Sequence, residues 1–131
     1  MNQSPYKGKT GLQRIWNALH YSLQGFRSAY EHESAFRQEL FLGVILAVAA
    51  VAMPVSRIQL GLLLASLLLV LITELLNSAI EAVVDRVSFE NHELAKRAKD
   101  MGSAAVFLSL ANCLLIWALV LMDVLQTHHT G

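Results

Sequence analysis

Four polar residues, Glu74, Asn77, Ser78 and Glu81, interrupt an apolar run that extends from Ile58 to Val84, and a fifth, Asp85, closes it. Their offsets of 0, 3, 4, 7 and 11 put all five on one helical face, within an arc of roughly 100°. A carboxylate near the centre of a membrane helix costs about 3 kcal/mol on insertion scales, and such groups face a bundle interior or a reaction site. The stripe is therefore a candidate site. Buried carboxylates accept protons from hydroxyl groups. As hard oxygen donors they also suit Mg²⁺, which commonly bridges one or two carboxylates to the phosphates of a bound substrate.

The elements that position the stripe belong to a membrane protein. Of 131 residues, 55% are hydrophobic and only 15% charged, below the roughly 25% charge of an average soluble domain. Ten basic and ten acidic residues cancel, so no basic field points to nucleic acid. The single Cys113 lies in an apolar run and reads as a packing residue, without disulfide or metal-type spacing. Neither a cleavable signal nor a lipidation motif is expected at the ends. His128-His129 reads as part of a disordered tail.

Leu12, Ile15, Trp16, Leu19, Leu23, Phe26 and Tyr30 form one apolar face with polar residues largely opposite, which predicts an amphipathic helix over about 12–30 lying on a membrane surface. A charged hinge follows over Glu31–Glu39. Apolar runs then predict three transmembrane helices over 36–54, 58–84 and 101–122, with a tight turn at Pro54-Val55-Ser56-Arg57 and a polar loop over 85–100. The whole is one all-α membrane domain. Basic residues cluster before the first span and in the 85–100 loop, with only Arg57 in the first connection and none after Asp123, so the N-terminal helix and that loop are expected to be cytoplasmic. Glu33 and Glu39 of the hinge and Lys96, Arg97, Lys99 and Asp100 of the loop then meet the stripe at one interface, with Glu74 about 10 Å deeper than Glu81 at 1.5 Å per residue. There is no Gly-rich phosphate loop and no protein-kinase signature.

The segments Glu33-Ser-Ala-Phe-Arg-Gln-Glu39, Glu74-Leu-Leu-Asn-Ser-Ala-Ile-Glu-Ala-Val-Val-Asp85 and His92-Glu-Leu-Ala-Lys-Arg-Ala-Lys-Asp-Met-Gly-Ser-Ala-Ala105 resemble the prokaryotic diacylglycerol kinase family over roughly Leu12–Leu121. The resemblance implies a homotrimeric bundle of small protomers, each with a surface helix and three spans, in the bacterial inner membrane. The activity it implies is transfer of the γ-phosphoryl group of ATP, with Mg²⁺, to diacylglycerol, giving phosphatidic acid.

Carried over by position, the resemblance makes Glu74 the general base, Asn77 the group that orients the carboxylates, and Glu33 and Glu81 the metal ligands. Arg14, Tyr21, Glu90, Asn91, His92, Lys99 and Asp100 match nucleotide contacts. Lipid contacts correspond to Arg14, Ser22, Phe26, Arg27, Ala29, Ala35, Phe36, Arg37, Gln38 and Glu39. The residues alone leave plainer alternatives open. Glu33 would pair with Arg37 at i+4, Asn77 would bridge helices, Lys96 and Arg97 would be solvated positive-inside charges, and Gly102-Ser103-Ala104-Ala105 would be a packing patch. The acceptor stays open between diacylglycerol and undecaprenol, and a non-enzymatic ion-coupled subunit is the rival from another class.

Overall fold

In a computed structural model, residues 11–87 and 92–130 are described, and they form four helices. These are α1 (Leu12–His32), α2 (Ser34–Ala52), α3 (Arg57–Val87) and α4 (Glu93–Thr130). Helix α1 starts behind Gly11, whose φ of 68° and ψ of −140° lie in a region that glycine alone enters at low cost. It leaves Leu12, Trp16, Leu19, Leu23, Phe26 and Tyr30 exposed.

The expected hinge over Glu31–Glu39 is instead a break of one residue. Glu33 is extended (φ −117°, ψ 103°), and Ser34–Glu39 already form the opening turns of α2. Helix resumes at once because the segment holds neither Gly nor Pro and the Glu33 carbonyl accepts the Arg37 N–H at 3.2 Å. Arg37 Nη1 donates to the carbonyls of Tyr30 and Glu31 at 2.6 and 3.3 Å, satisfying acceptors that the end of α1 would otherwise leave free. The guanidinium thus caps the preceding helix.

At the other end of α2, Met53 and Pro54 stop the helix and Ser56 starts the next. Ser56 N–H donates to Gln59 Oε1 at 2.9 Å, and Gln59 N–H donates to Ser56 Oγ at 3.1 Å, a reciprocal capping box. The Gln59 amide also donates to Asp123 Oδ2, tying the start of α3 to α4.

The polar stretch 85–100 is largely helical. Helix α3 continues through Val87 and α4 begins at Glu93, leaving residues 88–91 outside the described residues. The charges that suggest a loop sit at i, i+4: Lys96 Nζ lies 2.7 Å from Asp100 Oδ2, and Arg97 Nη2 lies 3.7 Å from Glu93 Oε1. Such pairs support an exposed helical turn. The tail is helical too. With neither Gly nor Pro between Met122 and Gly131, nothing breaks α4, and it carries His128 and His129 within its last turns.

Helix α3 is the centre of the chain and packs mainly on α4, less on α2, while α1 rests chiefly on α2. Ala50, Leu63 and Val120 form the core, surrounded by Met53, Leu60, Leu64, Ile116, Trp117 and Val124. Next to it, fully buried Ser66 donates to the Leu63 carbonyl at 2.7 Å and accepts from Trp117 Nε1 at 3.2 Å, with Cys113 Sγ 3.6 Å away. Helices α2, α3 and α4 are each long and apolar enough to cross a membrane. At 31 and 38 residues, α3 and α4 run to about 46 and 57 Å, longer than the hydrocarbon thickness of about 30 Å. Outward-facing Phe41, Val48, Leu68, Phe107 and Leu114 are exposed, as side chains solvated by lipid are. The chain is a membrane protein.

Candidate active site

The core lies toward one end of the bundle and the polar stripe toward the other. Glu74, on α3, is only 6% exposed. Glu39 on α2, with Glu81 and Glu33, lies close enough to act on its carboxyl electrostatically. Each carboxylate is brought there by a different local rule. Glu74 and Glu81 share a face through their seven-residue spacing, Glu39 comes from the second turn of α2, and Glu33 is the corner residue between α1 and α2.

Asn77 lies between Glu74 and Glu81 on that face. Its Nδ2 donates to Glu81 Oε1 at 3.4 Å, while its Oδ1, like Glu39 Oε2, is buried without a hydrogen-bond partner. Toward the end of α3, Asp85 Oδ1 lies 2.7 Å from Lys99 Nζ on α4. Asp100 is held by Lys96, so Lys99 and Asp100 point into different ion pairs.

Two clefts adjoin this cluster. One, of about 620 Å³, separates α1 from α3 and is lined largely by small residues, among them Ser22, Gly25, Ser28, Ala29, Ser78, Ala79 and Ala82, with Phe26, His32 and Glu33. The other, of about 390 Å³, is formed by Phe26, Arg27, Tyr30, Phe36, Leu40 and Leu71 and is almost wholly apolar. Glu33 and Ser78 line the first cleft and Phe26 lines both, so the acidic cluster opens onto surfaces that suit a lipid.

Among the other residues expected at the site, Tyr21, Ala35 and Gln38 are exposed. Ala29 and Phe36 are buried between helices, Phe36 at 3% exposure. Ser22 Oγ donates to the Ala18 carbonyl at 2.9 Å and Arg27 pairs with Glu31 at 3.0 Å, both within α1. Arg14 is exposed and makes no hydrogen bond or ion pair among the described residues. His92 Nδ1 accepts the Leu94 N–H at 3.1 Å, so its side chain caps α4. Glu90 and Asn91 lie outside the described residues. Among the described residues no three His, Cys, Asp or Glu side chains are grouped as metal ligands.

Three residues take places beside the cluster that their spacing does not predict. Asp85 belongs to the stripe and turns out to face Lys99, a pairing set by the α3–α4 register. Glu39, expected at lipid, lies beside Glu74. Gly102, expected in a packing patch, lies against Asn77. Only the first left a signal in sequence, as the fifth member of the stripe.

Residues 20–121 match the family described as prokaryotic diacylglycerol kinase. The chain belongs to that family. A diacylglycerol kinase of Pseudomonas aeruginosa is 55% identical over 93% of this chain and 99% of its own length. The diacylglycerol kinase of Escherichia coli K12 is 48% identical over 86% of this chain and 92% of its own, and one from Helicobacter pylori is 42% identical over 90% and 91%. The family resemblance carried by Glu74–Asp85 and its flanking segments therefore holds, and the chain is a kinase. The family match takes in the whole cluster from Glu33 to Asp100, whereas Arg14 precedes it.

Proposed function

We propose that this protein phosphorylates the primary hydroxyl of diacylglycerol with ATP, giving phosphatidic acid and ADP, at the cytoplasmic surface of the bacterial inner membrane. The observation that carries this reading is the burial of Glu74 within a convergence of Glu33, Glu39 and Glu81, next to lipid-sized clefts and below the Asp85–Lys99 pair. An acid–base group lies deep, where a lipid hydroxyl arrives, and a cation lies near the end of α3, where a water-soluble nucleotide arrives. The names of the relatives favour diacylglycerol over a polyprenol as acceptor.

In this reading Glu74 takes the proton of the lipid hydroxyl as its oxygen bonds to the γ-phosphorus, and the bond from that phosphorus to the β–γ bridging oxygen breaks. Asn77 orients Glu81 through its amide, and Lys99 neutralises phosphate charge as a point cation. Phosphoryl transfer needs positioning and charge neutralisation more than covalent help from the protein. Glu33 and Glu81 would hold the Mg²⁺ that accompanies ATP. Their oxygen chemistry fits a hard cation whose remaining ligands are water and phosphate, a mode that needs no cluster of three protein side chains. Bound there, the ion would neutralise charge on the transferring phosphoryl group. Exposed Arg14, Tyr21 and His92 are proposed nucleotide contacts, together with Glu90 and Asn91, which lie outside the described residues. Exposed Ser22, Phe26, Arg27, Ala35 and Gln38, together with buried Ala29 and Phe36, Arg37 and Glu39, are proposed to line the lipid side.

The exposed apolar face of α1 lies on the membrane in this reading, and the protein is a homotrimer whose sites are completed by the surface helix of a neighbour. Phosphorylation of diacylglycerol in mixed micelles, compared with undecaprenol and with the Glu74→Gln variant, tests it. Phosphatidic acid formed by the native chain and lost in the variant supports it. Transfer to undecaprenol alone overturns the acceptor, and ion flux without ATP turnover overturns the enzyme.

A further inference from the structure

We propose that Gly102 is a positioning residue for phosphoryl transfer, because its missing side chain leaves the notch in which the Asn77 amide is seated. The inference rests on the reading of Asn77 as part of the reaction site. Gly102 is buried on α4. A Cβ added there would overlap Asn77 Oδ1 and stand 3.2 Å from Asn77 Cγ, whereas a Cβ at Gly25, Gly43 or Gly61 would meet nothing within 4 Å. Among the described helical glycines, only Gly102 has a neighbouring side chain that an added Cβ would displace.

The neighbour lies within the acidic cluster. Asn77 directs Nδ2 toward Glu81 Oε1 at 3.4 Å, and its buried Oδ1 has no hydrogen-bond partner. Buried polar oxygens are nearly always paired, so no conventional hydrogen bond fixes this end of the amide. What faces it is the Gly102 backbone, which can offer a weak Cα–H contact. The amide is held by shape, with α4 as the wall. An added methyl group has two ways to be accommodated. The amide rotates and gives up Glu81, or α4 moves away and carries with it Lys99, one helical turn earlier and paired with Asp85 at 2.7 Å. Either route disturbs groups proposed to act on the phosphates.

Glycine inside a helix is intrinsically unfavourable relative to alanine, so a glycine kept for no local reason would be improved by the exchange. The test is a double-mutant cycle on kcat with the purified, assembled protein in mixed micelles, using Gly102→Ala, Asn77→Ala, both together, and Gly61→Ala as a control. Gly102→Ala is expected to lower kcat at least tenfold with KM for the lipid within twofold of native, and Gly61→Ala to leave kcat within twofold. Asn77→Ala alone is expected to be impaired, and the double variant to be no worse than Asn77→Ala, because only Asn77 Cβ, 3.9 Å away, then faces the new methyl.

A Gly102→Ala protein that keeps more than half of native kcat, or losses that multiply in the double variant, would overturn the inference. If Gly102→Ala fails to assemble, the double variant decides, since removing the amide removes the overlap. Assembly regained supports the notch, and assembly still lost assigns the glycine to packing and overturns it. Native activity in Asn77→Ala would instead overturn the role of Asn77.

Discussion

Lys99 of α4 reaches across to Asp85 of α3, Nζ to Oδ1 at 2.7 Å, with the two side chains 46% and 66% exposed. An ion pair so open to solvent contributes only about 0–1 kcal/mol to stability, so its value lies in where it holds the ammonium group. Lys99→Met is expected to lower phosphoryl transfer at least tenfold while shifting the thermal midpoint in detergent by no more than a few degrees. Parallel activity and unfolding measurements check this, and a large loss of stability would assign the pair to the fold.

Glu74→Gln keeps the size of the side chain and removes the proton acceptor. A positioned general base is worth about 10²–10⁴ in rate, so kcat is expected to fall by that order with assembly and KM for ATP retained. Steady-state kinetics on protein of unchanged oligomeric state measures it.

The Ser66–Trp117 hydrogen bond is far in character from the acidic cluster, being a polar contact within the apolar core. Hydrogen bonds between membrane helices average about 0.6 kcal/mol and reach about 1.7. Trp117→Phe is therefore expected to destabilise by roughly 1–2 kcal/mol, once the smaller ring is included, and to leave kcat within twofold. Denaturation in detergent, read beside activity, separates the two effects.

His92 has a capping role in the protomer and a proposed nucleotide role, and two substitutions distinguish them. Asn is a good N-cap and Ala a poor one, with about 1 kcal/mol between them. His92→Asn is expected to keep the stability that His92→Ala loses, while both raise KM for ATP. Unchanged KM in both would leave the cap as the only function of this side chain.

Arg14 is exposed and makes no hydrogen bond or ion pair among the described residues, and it is proposed to complete the site of a neighbouring subunit. Mixing inactive Arg14→Ala subunits with inactive Glu74→Gln subunits is expected to restore a measurable fraction of native activity. Strict additivity of the two defects would confine each site to one chain.

The parts legible in sequence are those written in periodicity. The stripe from Glu74 to Asp85, the first helix and the three long apolar runs follow from residue spacing alone. The polar stretches are less legible, because charge suggests loop unless the i, i+4 pairs are counted. Lys96 with Asp100 and Glu93 with Arg97 are helical partners, and Arg37 caps the helix before its own. The facing of Asp85 to Lys99, of Glu39 to Glu74 and of Gly102 to Asn77 depends on how far one helix slides along another. No single helix encodes that register.

The corner at Glu33 is one residue long. Glu33 and Glu39 act electrostatically on the same buried carboxyl from either end of the opening turns of α2. One residue inserted between them would turn one carboxylate about 100° away from the other, although every side chain in the cluster would still be present. Chain length across this short stretch is thus as much a determinant of the site as the identity of its acids, and a change in spacing would be as damaging as the loss of a carboxylate.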